Sequence, residues 1–221
     1  MRRGPRPNAA ALVVRSGLTV RAPELVPSLP VAGRAVAGTV HGAGDAIVVC
    51  SWHAPNAAQS GPEVKMQGYR AVVDWVAASP QPTVLGFDAN HWSLSTSLDP
   101  VPVVDDPADH RLLERQFFGP DPPHRLRDPL LDVLRRDPLR YARCMEERPD
   151  GPLPVSYMRR GTPDRFDYVF VSPEFTATDV RYDYDGGRAA GSDHALVVAD
   201  LEYGTRVPPA RYTTPLRWEG P

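Results

Sequence analysis

Four short stretches carry side chains suited to acid–base or metal chemistry. They are Ser51-Trp52-His53-Ala54-Pro55-Asn56, Gly86-Phe87-Asp88-Ala89-Asn90, Phe166-Asp167-Tyr168-Val169-Phe170-Val171 and Gly191-Ser192-Asp193-His194. Singly, each has an ordinary reading: a histidine after a strand as a structural residue, Asp-x-Asn as a turn or helix cap, Ser-Asp-His as a polar turn. Asp167 is the least ordinary, because it opens an apolar strand, where a carboxylate needs a partner. Taken together, the set describes one chemistry. Asp carboxylates and Asn carbonyls are hard oxygen ligands for magnesium or manganese. Histidines donate to phosphate oxygens or stabilise a developing oxyanion, and Asp167 could orient His194. A zinc-spaced Cys/His cluster, a Gly-x-Ser-x-Gly elbow, a phosphate loop and a dinucleotide fingerprint are all missing. The balance favours metal-assisted hydrolysis of a phosphate ester over acyl, nucleotide-phosphoryl or hydride transfer.

These residues must be held by strands. Ala46 to Ser51 and Thr83 to Phe87 are continuous apolar runs of strand length, as in strands buried on both faces. Between them, Ser60-Gly61-Pro62-Glu63 has the form of a capping box. Met66, Tyr69, Val73 and Val76 then trace one face of an amphipathic helix ending near Ser79-Pro80. Further strands are expected at Ala11 to Arg15, Leu18 to Ala22, Val31 to Val40, Phe166 to Val171, Asp179 to Tyr184 and Ala195 to Leu201, with Pro23, Pro27 and Pro30 breaking the N-terminal stretch. From 93 to 161 prolines and arginines dominate and only Leu130 to Arg136 reads as helix. The expectation there is a long connection over the surface near the site. This gives one domain over 1–205, with an insertion at about 93–161 and an irregular tail over 206–221.

Composition narrows the class. Apolar residues are 42% and charged residues 24% of 221, ordinary for a folded globular chain. Twenty-five basic against 27 acidic residues give a net charge of -2, so no global attraction to nucleic acid or anionic membrane exists. Lys65 is the single lysine. Cys50 and Cys144 are too few for a disulfide framework and read as reduced thiols, Cys50 as a small core residue. No stretch approaches the roughly 20 apolar residues of a membrane span, and the apolar run after the basic start is shorter than a signal-peptide core. A cytoplasmic monomer is the expectation.

The order strand-His-x-Pro, Gly-x-Asp-x-Asn, Asp-Tyr-x-Phe-Val-Ser, then Ser-Asp-His before an apolar strand resembles the endonuclease/exonuclease/phosphatase superfamily, the deoxyribonuclease-I-like phosphodiesterases and phosphomonoesterases, over residues 46 to 202. The resemblance implies a four-layer α/β sandwich, two mixed β-sheets flanked by helices. It implies a Mg²⁺ or Mn²⁺ cofactor and a phosphate-ester substrate, whether nucleic acid, nucleotide or lipid headgroup. Asp88 would orient or deprotonate the attacking water, and Asn90 would hold the phosphate or that water. Asp193 would be a metal ligand or metal-site neighbour, and His194, oriented by Asp167, would stabilise the transition state. His53 would bond a non-bridging oxygen, with Lys65, Trp92 and Arg165 as lesser substrate-binding candidates.

One part of the pattern has no match. The family begins with a strand carrying an Asn and a second strand carrying the Glu that is the main metal ligand, whereas residues 1 to 22 resemble the strands that follow, with Arg15 to Leu18 as their turn. Glu24, after a proline and outside a strand, is a poor substitute and is expected away from the cleft. The chain therefore reads as N-terminally incomplete, either by truncation or as a relative that has lost its metal ligand. The competing class is a non-catalytic fold relative acting as a binding module.

Overall fold

The computed structural model describes residues 9–41, 46–91, 98 and 112–204. Ile47–His53 alternates between the interior and a half-buried face, with Val48, Cys50 and Trp52 buried, as a strand with two different faces must. It forms β3, the middle strand of a five-stranded mixed sheet. The others are β1 (Thr19–Leu25), β2 (Ala35–His41), β4 (Thr83–Asp88) and β7 (Asp167–Val171), in the order β1-β2-β3-β4-β7. β3 and β4 are parallel and the remaining pairs antiparallel. A parallel pair needs a crossover, supplied by the short α1 (Ala57–Ser60) and by α2 (Pro62–Ala78). α2 lays Tyr69, Val72, Val73 and Val76 on the sheet, with Met66 packed at the edge of the same core. Its start differs from the expected capping box: Asn56 caps α1, and α2 begins at Gly61-Pro62 with no side-chain cap. Proline supplies the preset φ of a first helical turn, so the serine is not needed there.

The segment 93–161 is more than a surface excursion. α3 (Leu112–Phe117) drives Phe117 into the main core, its ring 5.1 Å from Tyr69 and 5.7 Å from Phe87. α4 (Pro129–Arg136) packs Leu130, Val133 and Leu134 against Ala177 and Val180 of β8 (Phe175–Asp183). α5 (Pro138–Glu147) follows, capped by Asp137. β8 pairs with β9 (Leu196–Tyr203) as an antiparallel ribbon. A hairpin of β5 (Tyr157–Arg159) and β6 (Thr162–Asp164) and the short α6 (Tyr184–Ala189) complete the elements. Helices over a mixed sheet, beside a second small sheet with its own helix, make the expected α/β sandwich. Among the described residues its second sheet is the two-stranded β8–β9 ribbon.

Three N-terminal expectations change. Ala11–Arg15 is irregular, tied down by Ala10 N donating to Gly33 O at 2.8 Å. β2 begins only at Ala35. β1 runs through Pro23, which it accommodates at a bulge between Arg21 and Glu24, with Ala22 at φ 47°. A bulge on an edge strand tolerates the missing N–H. Glu24 is thus in a strand, opposite Ala37. The turn between Arg15 and Leu18 is present. The tail over 206–221 lies outside the described residues.

Candidate active site

The register of the main sheet builds the site. His53 lies opposite Asp88, and Asp88 opposite Asp167, so one row across β3, β4 and β7 reads His-Asp-Asp. One residue earlier along β3 and β4 and one later along β7, the row Trp52-Phe87-Tyr168 faces the core. Its rings lie 5.5 Å and 5.3 Å apart in stacked arrangement. Because strand side chains alternate, an aromatic row buried on one face fixes the next row on the other.

That polar row opens on a cleft of about 720 Å³. Asn90, Asp193 and His194 line it as well, so six of the sequence-derived residues, spread from position 53 to 194, converge there. His53 Nε2 is 3.5 Å from Asp88 Oδ2. His194 Nδ1 donates to Asp167 Oδ2 at 2.7 Å, leaving its Nε2 as the nitrogen not engaged by that carboxylate. Asn90 N–H donates to Asp88 Oδ1 at 2.7 Å, and Asn90 Nδ2 donates to Ala54 O at 2.8 Å. Asn56 Nδ2 donates to Asn90 Oδ1 at 3.2 Å. These bonds hold Asn90 at φ 45°, a left-handed conformation that asparagine tolerates better than most residues.

The Asp167–His194 pair is supported from behind. The buried Ser156 hydroxyl accepts from the N–H groups of Phe166 and Asp167, at 2.7 and 3.0 Å. Ser156 O accepts from Ala195 N–H at 2.7 Å, and the Tyr157 ring lies 4.8 Å from the His194 ring. Tyr182 donates its hydroxyl to Asp167 O at 2.9 Å.

The electrostatics separate the groups. Burial, then the neighbouring Asp167 charge, push Asp88 up to about 6, against the Asn90 N–H and the His194 and Lys65 charges. The hydrogen bond to Asp167 raises His194 above the ordinary histidine value, and the Asp167, Asp88 and Asp193 charges add to this. His53 goes the other way, down to about 4, through burial and the Arg34 and His194 charges. At neutral pH the cleft thus holds an ionised Asp88, a cation-favouring His194 and a neutral His53. Divergent values among neighbouring titratable groups are the pattern of acid–base sites.

A divalent cation fits this donor set. Ligand atoms of Asp88, Asp167 and His194 lie within 4.8 Å of one another. With His194 bonded to Asp167, the available hard donors are Asp88 and the second Asp167 oxygen. Magnesium is commonly held by one or two carboxylates, with water and substrate phosphate completing its shell. Asp88, whose ionisation the neighbouring Asp167 charge opposes, also gains from a cation. Asp193, the sequence-derived metal ligand, lines the cleft but is not in this group. Two of the group's three members, Asp88 and Asp167, come from the row that the sheet register builds.

Two of the lesser candidates lie away from the cleft lining, and the third falls on residues not described. Lys65 is buried under α3, where it donates to Asn90 O at 2.7 Å and pairs with Glu114. Arg165 is fully buried and makes a bidentate pair with Asp128, at 2.6 and 3.1 Å, over the Tyr168 ring. Neither lines the cleft. A long cation beside a motif reads as a substrate clamp only while its carboxylate partner, here Glu114 or Asp128, is hidden in distant sequence. Trp92 lies outside the described residues. Glu24 is absent from the cleft lining, as expected. Sequence reasoning gave no role to Asn56, Ser156 or Glu114. Asn56 stood inside the His53 motif, whereas nothing local marks the other two.

The buried ionisable groups set an acid limit on stability. His124 is held down at about 4 by burial, despite donating to Phe117 O at 3.1 Å. Its lowered folded pKa contributes stability that is full above about 6.5 and lost as pH falls through 4. Burial pushes Glu114 up, but the His91 and Lys65 bonds and charges prevail and hold it at about 2. That contribution is full above about 4.5 and is lost between 4.5 and 2. Measured as a difference from wild type, His124→Gln should remove an acid-side loss in unfolding free energy that begins near pH 6.5 and amounts to at most about 3 kcal/mol. The His53 and Asp88 titrations, which fall in the same window with opposite signs, are common to both proteins and cancel in the difference. A profile parallel to wild type at all pH values would contradict the assignment.

In three dimensions the chain is similar to solved endonuclease/exonuclease/phosphatase structures. The one from Bacteroides vulgatus matches 85% of this chain and 67% of its own, at 15% identity and a TM-score of 0.51. D. rerio TDP2 humanised by 14 mutations matches 85% of this chain and 68% of its own, at 13% identity and a TM-score of 0.50. The endonuclease/exonuclease/phosphatase from Beutenbergia cavernae is 23% identical over 78% of this chain, with a TM-score of 0.46, but only 40% of its own length is matched. This chain thus spans between 40% and 68% of those proteins. No protein-family model matches the sequence, and no curated protein does. The chain adopts the endonuclease/exonuclease/phosphatase fold.

Proposed function

We propose that the chain is a phosphoesterase that hydrolyses its substrate by in-line attack of an activated water. The observation that carries this reading is the His53-Asp88-Asp167 row with His194 bonded at its end, all facing one cleft. Displacement at phosphorus needs a base, a charge-stabilising donor and an anion contact around a single atom, and this row supplies one of each. Asp88, ionised at neutral pH, takes the proton of the attacking water on Oδ2 while Oδ1 stays bonded to Asn90 N–H. His194, whose affinity for a proton Asp167 raises, donates from Nε2 to a phosphoryl oxygen as charge builds there. Neutral His53 donates one ring N–H to a second oxygen. Asn90 has its amide engaged with Ala54 and Asn56, so it serves by fixing the Asp88 loop. A magnesium or manganese ion held by the second Asp167 oxygen, with water completing its shell, would neutralise phosphoryl charge when bound.

The test is hydrolysis of bis(p-nitrophenyl) phosphate by the intact chain. Turnover is expected with Mg²⁺ or Mn²⁺, is abolished by EDTA and returns on adding excess metal. Turnover indifferent to EDTA would remove the metal from the account. A folded chain inert towards phosphodiesters and phosphomonoesters with either metal would leave the binding-module reading in its place.

A further inference from the structure

Lys65 is the only lysine in a chain whose other basic side chains are arginines and histidines, and it is 3% exposed. Its ammonium donates to Asn90 O at 2.7 Å and to Glu114. Tyr69, one turn further along the same face of α2, donates to Ala89 O at 3.0 Å. Glu114, from α3, also accepts from His91 Nδ1 at 2.6 Å. The three residues that follow Asp88 are therefore each gripped from the helix layer behind the sheet. The grip ends on the peptide that carries Asn90 at φ 45°.

We propose that Lys65, Tyr69 and Glu114 are positioning residues that set the Asp88–Asn90 loop for catalysis; this rests on the phosphoesterase reading above. Burying an ion pair brings little net stability, because desolvating both charges offsets their attraction. An apolar pair of similar volume would still pack α2 against α3, but it would strip His91 Nδ1 and Asn90 O of these buried partners. What an apolar pair cannot do is hold the Asn90 carbonyl, which together with Tyr69 on Ala89 O, in the peptide that carries the Asn90 N–H, fixes the planes on both sides of the Asn90 Cα. A displacement of about 1 Å at a reacting group costs on the order of 10²-fold in rate. Lysine suits the place better than arginine: a compact ammonium reaches a carbonyl and a carboxylate at once, where a planar guanidinium needs a wider pocket.

The test uses Lys65→Met/Glu114→Leu in the intact chain. Its melting temperature is expected to fall, because His91 Nδ1 and Asn90 O lose buried partners. At a temperature where it remains folded, kcat for bis(p-nitrophenyl) phosphate should be lower by about 10- to 100-fold with KM changed by less than about threefold. Lys65→Arg should fail to restore kcat. Hydrogen–deuterium exchange provides a readout independent of turnover: residues 88–91 should lose protection while 47–53 and 83–87 keep it. If the double variant does not fold, Glu114→Gln is read in the same two ways. A folded variant with wild-type kcat and unchanged exchange over 88–91 overturns the proposal. If the wild-type chain itself has no turnover, the hydrolase reading fails on its own account and the exchange pattern alone decides whether the clamp exists.

Discussion

His194→Ala is expected to lower kcat by on the order of 10²–10³ while KM moves little. The reason lies in when the interaction exists. Asp167 holds the imidazole through Nδ1 at 2.7 Å and raises its affinity for a proton, so Nε2 is favoured as a donor to the substrate. Charge on the phosphoryl oxygens is greatest in the transition state, and an interaction strongest there is lost from kcat rather than from KM. Asp167→Asn should reproduce part of the loss, because the amide can still orient the ring but no longer favours its protonation. A folded His194→Ala chain with near-parental kcat would refute the role.

Asp88→Asn is expected to be comparably damaging, by on the order of 10²–10⁴ in kcat, the range of a lost general base. This substitution keeps the shape and an oxygen for the Asn90 N–H, so binding of substrate should survive. Its effect on stability should have the opposite sign. Asp88 sits at about 6 because burial and the Asp167 charge both work against its ionisation, and a neutral amide removes that repulsion. A melting temperature equal to or above wild type, with activity nearly gone, is the signature of a site held against its own electrostatic preference. Full activity in this variant would remove Asp88 as the base.

The residues that converge were legible because each stood at a strand end. Apolar runs at 47–53, 83–88 and 167–171 end or begin on His53, Asp88 and Asp167, and a sheet placing these runs side by side must align their polar ends. Asp167 was especially readable, since a carboxylate opening a buried strand requires a partner, and His194 is that partner. What sequence did not reveal was pairing across distance. Lys65 and Arg165 looked available because Glu114 and Asp128 are 49 and 37 residues away. α3 was missed because six residues rich in polar side chains carry too little periodicity, although Phe117 is among the most buried residues of the core. Ala11–Arg15 had the composition of a strand but joins no sheet among the described residues. Composition cannot supply that information.

The most direct test of the central claim is the fate of isotope when the wild-type chain turns over bis(p-nitrophenyl) phosphate in H₂¹⁸O with Mg²⁺. Attack by an Asp88-activated water on phosphorus predicts one ¹⁸O in the p-nitrophenyl phosphate product and none in the p-nitrophenolate, with the labelled product nearly absent from Asp88→Asn. Label in the phenolate, an unlabelled phosphoryl product, or undiminished labelling by Asp88→Asn would contradict the account.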